Sequence, residues 1–112
     1  MPLTAPEGEG NVYELRIYRA RAGMSQTWLK QFKEIMPVRE KYSKNVGLWW
    51  GEAPQPHEVA HMWAYRDAND RFATRAKVAA DPAWQGFLAE AGGCLEDMQS
   101  IFLLPTNYSP MK

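Results

Sequence analysis

His57-Glu58-Val59-Ala60-His61-Met62-Trp63-Ala64-Tyr65 carries two incompatible readings, and the choice between them decides the fold. As a helix, its first five residues spell HExxH. Both histidines would then share one face about 6 Å apart along the axis, with Glu58 as the general base of a zinc hydrolase. As a strand, four residues span about 13 Å, too far for two imidazoles to share a tetrahedral ion. The surroundings favour the strand. Pro54 and Pro56 block a helix arriving from upstream. Val59, His61, Trp63 and Tyr65 fall on one face, and Glu58, Ala60, Met62, Ala64 and Arg66 on the other. No third ligand stands nearby, so neither a metal nor another cofactor is expected.

The chain has 112 residues, enough for one small domain with a single core. Its 46% hydrophobic content lies well above the disordered range. Thirteen basic and thirteen acidic residues cancel without forming a like-charge block, which argues against nucleic acid as a partner. No apolar run approaches a membrane span, and the N-terminus lacks a signal-peptide pattern. Cys94 is the single cysteine, which excludes an internal disulfide and fits a reducing, cytoplasmic setting. It follows Gly92-Gly93 with no histidine close in sequence, and reads as a structural thiol. Met1 to Asn11, rich in Pro, Gly and Glu, reads as a tail ahead of a single domain over 12–110.

Either side of the quoted strand, helical and strand periodicities alternate. Val12 to Arg19 alternates as a strand, with Tyr13, Leu15 and Ile17 on one face and Glu14, Arg16 and Tyr18 on the other. Trp28, Leu29, Phe32, Ile35 and Met36 have helical spacing after Gly23, with Pro37 expected to kink or end that helix before the run to Tyr42. Val46 to Gly51 reads as a strand, and Ala53-Pro54-Gln55-Pro56 as a hairpin loop. Asp67 caps a helix whose thin apolar face is Phe72, Ala76, Ala79 and Ala80. Asp81-Pro82 starts another, with Trp84, Phe87, Leu88 and Ala91 as its buried stripe and Gly92-Gly93 at its end. Met98 to Leu104 reads as the last strand, and Pro105 onward as a tail.

The order β-α-β-β-α-α-β predicts an α+β, ferredoxin-like βαββαβ fold: a four-stranded antiparallel sheet with helices on one face. The alternation assigns Tyr13, Leu15, Ile17, His61, Trp63 and Tyr65 to the helices. It leaves Tyr18, Ala60, Met62 and Ala64 on the outer face, among Glu14, Arg16 and Arg66. That semi-apolar face predicts a homodimer, with Glu14 and Arg16 pairing at the interface.

Tyr13-Glu14-Leu15-Arg16-Ile17-Tyr18, Trp28, Phe32, Pro37, His61-Met62-Trp63-Ala64-Tyr65 with Asp67, and Asp81-Pro82-Ala83-Trp84 occur in an order that resembles the NIPSNAP family from about Val12 to Pro110. The resemblance implies the dimeric α+β barrel superfamily, in which two ferredoxin-like sheets pack back to back and ligand pockets lie between each sheet and its own helices. That superfamily spans cofactor-free monooxygenases, cyclases, isomerases, haem enzymes and ligand sensors, so the resemblance leaves the reaction open.

His61 is the titratable group expected inside the aromatic layer, as a general base or proton relay or else as a hydrogen-bonded core residue. Tyr13 and Tyr65, placed on the same face, are expected to orient it or to stabilise a developing enolate. Trp28, Phe32, Trp49, Trp63 and Trp84 are the expected walls of a substrate slot, although large apolar residues at such positions are more often core. Of Trp49 and Trp50, only one can face that layer. The expected function is a cofactor-independent enzyme cyclising, isomerising or oxygenating a small aromatic or polyketide-like metabolite. A non-catalytic small-molecule-binding or protein-interaction dimer is the alternative.

Overall fold

Residues Glu58–Tyr65 form a strand, so the two histidines do not share a helical face. The computed structural model describes residues 11–53 and 56–111. Its elements are β1 (Val12–Ala20), α1 (Ser25–Arg39), β2 (Lys44–Trp50), β3 (Glu58–Tyr65), α2 (Ala68–Ala80), α3 (Pro82–Ala91) and β4 (Leu95–Leu103), with a 3₁₀ turn at Gly92–Cys94. The sheet order is β2-β3-β1-β4 with every pair antiparallel, which is the ferredoxin-like arrangement. The expected N-terminal tail lies outside the described residues except for Asn11, which is buried. Pro54 and Gln55 of the hairpin loop lie outside them too.

Local chemistry sets the boundaries. Gly23 takes a φ of 77° between β1 and α1, a conformation that glycine adopts without a Cβ penalty. The Asp67 carboxylate accepts from the Asp70 amide at 2.7 Å and caps α2. Asp81 accepts from the Ala83 amide at 2.8 Å, with Pro82 in the first turn of α3. Pro37 neither kinks α1 to a stop nor precedes a resumed helix. It lies in the last turn, where it removes one backbone donor, and α1 runs on to Arg39 before a turn.

Register corrects the predicted facing of β1. Glu14 lies opposite Trp63, Arg16 opposite His61 and Tyr18 opposite Val59. Cross-strand partners share a face, so Glu14, Arg16 and Tyr18 point at the helices with His61, Trp63 and Tyr65. Tyr13, Leu15 and Ile17 point outward with Ala64, Met62 and Ala60. The expected interface ion pair at Glu14 and Arg16 is therefore beneath the helices instead. Alternation alone favours the more apolar trio as the inward one. That preference fails here because the outward face is apolar as well, and α2 brings arginines to the inward carboxylate.

Trp28 and Phe32 of α1, Phe87 and Ala91 of α3, and Val59, Trp63 and Tyr65 of β3 form the core. Burying each of the larger side chains contributes roughly 1.5–3 kcal/mol. Helix α2 buries Thr74 and Val78 rather than the expected alanine face, and Phe72 is exposed. Leu88 of the α3 stripe is half exposed. After β4 the chain turns back, and Pro105, Ser109 and Met111 stand beside Tyr13 and Met62 on the outer face. No described helix is long and apolar enough to cross a membrane.

Candidate functional site

The centre of the helix-facing layer is one hydrogen bond. The Trp63 indole Nε1 donates to His61 Nδ1 at 2.6 Å. An indole nitrogen can only donate, so Nδ1 must present a lone pair. A neutral imidazole in that arrangement carries its proton on Nε2. Burial, reinforced by the charges of Arg16 and Arg39, lowers the His61 pKa to about 3, so the ring is neutral at physiological pH. Nε2 is buried and has no hydrogen-bond partner among the described residues. A buried donor left unpaired is uncommon and costs about 1–3 kcal/mol.

That nitrogen belongs to a ring lining a partly enclosed cavity of about 150 Å³ between sheet and helices. Trp28, Phe32 and Phe87 form its helix-side wall. Tyr18, Leu95 and Met98 close it from the sheet side. Trp84, Leu88 and Gly92 complete the rim, where Leu88 and Met98 are solvent-exposed. His61 meets Tyr18 edge-on at 4.8 Å between centroids and Phe32 at 5.1 Å, while Trp28 stacks on Phe32 at 4.6 Å. An apolar cavity of about 150 Å³ is large enough for a single aromatic ring. His61, Tyr18 and the indole nitrogens of Trp28 and Trp84 are the side-chain nitrogen and oxygen atoms carried by the lining residues.

Charge is concentrated beside it. Glu14 is 1% exposed, and its Oε2 accepts from Arg71, Ser100 and Arg16. Burial alone would raise its pKa, but the hydrogen bonds from Arg71 and Ser100 and the charges of Arg16 and Arg71 outweigh it and hold it at about 2. Arg75 approaches Glu14 Oε1 at 3.8 Å. Arg16 also donates through Nε to the Tyr18 hydroxyl at 2.7 Å. Arg39 is 2% exposed, lies over the Trp63 ring at 4.0 Å, and donates to Tyr65 Oη at 3.0 Å and Ser43 Oγ at 2.6 Å.

The structure gathers Trp28, Phe32, Trp63, Trp84 and His61 into one layer, with Trp63 behind the imidazole rather than in the cavity wall. Tyr65 is on the same face but engages Arg39. It stands four residues, about 13 Å of strand, from His61. Tyr13 is corrected in position: it lies on the opposite side of the sheet, opposite Ala64 and beside the C-terminal segment. Trp49 is corrected likewise. It pairs with Ala60 on the outer face and is 50% exposed, whereas Trp50 pairs with Val59 on the helix-facing side. A Cβ at Gly47 would collide with the Trp49 indole, so the ring lies across that glycine. Sequence reasoning missed Tyr18, which the wrong phase of β1 turned outward, and Arg39, a charged helix-end residue with no apolar signal. His57 precedes β3, and no cluster of three His, Cys, Asp or Glu able to hold a metal occurs among the described residues.

A family model described as NIPSNAP matches residues 13–110. The chain belongs to the NIPSNAP family. The NipSnap homolog of Dictyostelium discoideum is 30% identical over 97 residues, which are 87% of this chain and 44% of that protein. The chain thus spans less than half the length of the curated NipSnap relatives it matches. Among solved structures, an uncharacterized NIPSNAP domain protein from Burkholderia xenovorans superposes with a TM-score of 0.84 at 33% identity, covering 88% of this chain and 98% of that one. A putative antibiotic biosynthesis monooxygenase from Nitrosomonas europaea gives a TM-score of 0.69 at 10% identity, over 96% of this chain and 100% of that one. At that identity the likeness concerns the ferredoxin-like fold alone.

Proposed function

We propose that this NIPSNAP domain is a cofactor-independent enzyme that binds a small, flat, carbonyl-bearing aromatic metabolite in the cavity beside His61. The observation that carries this reading is the unpaired, buried His61 Nε2 in an aromatic wall. With Nδ1 committed to Trp63, the imidazole is an N–H donor and not a base. A neutral imidazole aimed at a carbonyl oxygen stabilises the negative charge that develops there during enolisation, in which a solvent water takes the alpha proton and the C–H electron pair shifts onto the oxygen, the first step common to isomerisation, cyclisation and oxygenation alpha to a carbonyl. Trp28, Phe32 and Phe87 would hold the ring of the ligand, and Leu88 and Met98 stand at the mouth.

The alternative, binding without turnover, draws support from the lining itself, which includes no carboxylate. The two readings separate in one experiment. Acetophenone and related single-ring ketones are titrated while tryptophan fluorescence reports occupancy, and exchange of their alpha hydrogens in deuterium oxide reports enolisation. Binding with accelerated exchange, both lost in His61→Phe, is the expected result. Binding without exchange would leave a carrier or sensor, and no binding of any such ketone would remove the cavity as a site.

The outer face of the sheet supports a homodimer. Leu15, Ile17, Ala60 and Met62 form a continuous apolar strip there, with the half-exposed Trp49 and Ile101 at its sides. A second copy of the chain covers such a face symmetrically. We place this dimer in the cytoplasm, in line with one unpaired, buried cysteine.

A further inference from the structure

Buried charges in proteins are ordinarily paired. Arg39 is 2% exposed, yet no carboxylate among the described residues lies within ion-pair distance of it. Its two hydrogen-bond partners, Ser43 and Tyr65, are neutral hydroxyls. Arg16, Arg71 and Arg75 share the single carboxylate of Glu14. Among the described residues, four guanidinium groups, those of Arg71 and Arg75 partly exposed, thus stand behind the cavity against one carboxylate.

Geometry delivers that excess to one atom. The Arg39 guanidinium sits over the face of Trp63 at 4.0 Å, drawing on its π density. A cation there makes the indole N–H a stronger donor. That N–H points at His61 Nδ1, so the polarisation passes through the imidazole to Nε2–H. Arg16 flanks His61 across the β1–β3 ladder. From the other elements around His61, α1 otherwise contributes neutral aromatic rings, and α3 contributes Phe87 and Trp84. The charges acting on His61 are Arg16, Arg39 and Arg75, opposed by Glu14.

We infer that the His61 cavity takes an acidic enol or phenol as its oxyanion, with Arg39 acting through Trp63 as the positioning residue that favours the charged form. On binding, the ligand O–H bond breaks and its proton passes to solvent. The oxygen keeps the electron pair and accepts the hydrogen bond from Nε2–H. This inference rests on the proposed ligand cavity and adds the ionisation state of its occupant. The opposing force is desolvation, which in an apolar pocket favours the neutral phenol.

The sign of the shift decides between the two. 4-Nitrophenol fits a single-ring cavity and absorbs at separate wavelengths as phenol and phenolate. Added to excess full-length protein below its own midpoint, it is expected to become at least about tenfold more ionised than the free probe, the equivalent of one pKa unit. Arg39→Met keeps a long side chain over Trp63 without the charge, and His61→Phe keeps the ring without the donor. Each should return the bound probe towards the phenol. A probe that quenches tryptophan fluorescence yet binds as the phenol would overturn the inference while leaving the cavity reading intact. No quenching by either form would overturn both. An undiminished shift in folded Arg39→Met would overturn the role of Arg39. Should that variant fail to fold, the wild-type spectrum still decides the sign, and Trp63→Phe tests the relay.

Discussion

Trp63 donates its indole proton to His61 Nδ1 at 2.6 Å, two residues away along the same face of β3. The bond fixes the tautomer of a histidine that is 3% exposed and turns the expected general base into a neutral donor.

Acid should weaken the fold in two overlapping windows. His61 has its folded-state pKa lowered from 6.5 to about 3. The unfolded chain therefore binds a proton that the folded chain refuses as pH falls through 6.5. Stability present above 6.5 is lost on the way down to about 3, with a slope approaching about 1.4 kcal/mol per pH unit. Glu14 is lowered from 4.5 to about 2, so its contribution, present above 4.5, disappears between 4.5 and 2. Urea unfolding from pH 8 to 3 should show His61→Phe flat between 6.5 and 4.5, where the wild type slopes. An equal slope in both proteins would contradict the assignment.

Among the described residues, Glu14 is the only carboxylate that the fan of Arg16, Arg71 and Arg75 contacts. Glu14→Gln leaves those guanidiniums uncompensated. A buried pair broken on one side costs about 3–5 kcal/mol, and the partial exposure of the arginines reduces this to about 2–4. Chemical denaturation reads the loss directly, and a change below about 0.5 kcal/mol would show that solvent screens the cluster.

The apolar outer face of the sheet predicts a dimer at micromolar concentration. Met62→Glu places a charge in the middle of the outer strip, opposite Leu15 and away from the His61 cavity. Sedimentation velocity should give the wild type as a dimer and Met62→Glu as a folded monomer. A monomeric wild type would remove the proposed assembly.

Gly47 offers a local test of the β2 edge. The Trp49 indole occupies the space a Cβ would need. Gly47→Ala should displace that ring and shift its fluorescence without disturbing the His61 layer, since Trp49 lies on the outer face. Unchanged emission would show that the ring rests elsewhere.

Element order was legible in the chain because its punctuation is chemical. Asp67 and Asp81 cap the helices they were expected to cap, Gly23 turns, and Glu58–Tyr65 is extended as its alternation predicts. Facing was legible for β3, whose aromatic residues all fall on one side, but not for β1. Tyr13, Leu15 and Ile17 outrank Glu14, Arg16 and Tyr18 in hydrophobicity, yet the latter set is inward. The reason resides in another element, for Arg71 on α2 supplies the partner that makes a buried Glu14 tolerable. A single strand does not display that partner. The cavity had the same limit: Phe87 was visible in the α3 stripe, whereas Tyr18 and Met98 join it only through the β1–β4 register.

The central claim is that His61 presents Nε2–H to the cavity. Nitrogen-15 NMR of histidine-labelled protein reads this directly, with His57 as the second histidine for comparison. His61 should show a protonated Nε2 and a bare Nδ1, should remain neutral from pH 8 to 5, and its Nε2–H signal should move when acetophenone is added. A proton on Nδ1, or titration of His61 near 6.5, would contradict the account.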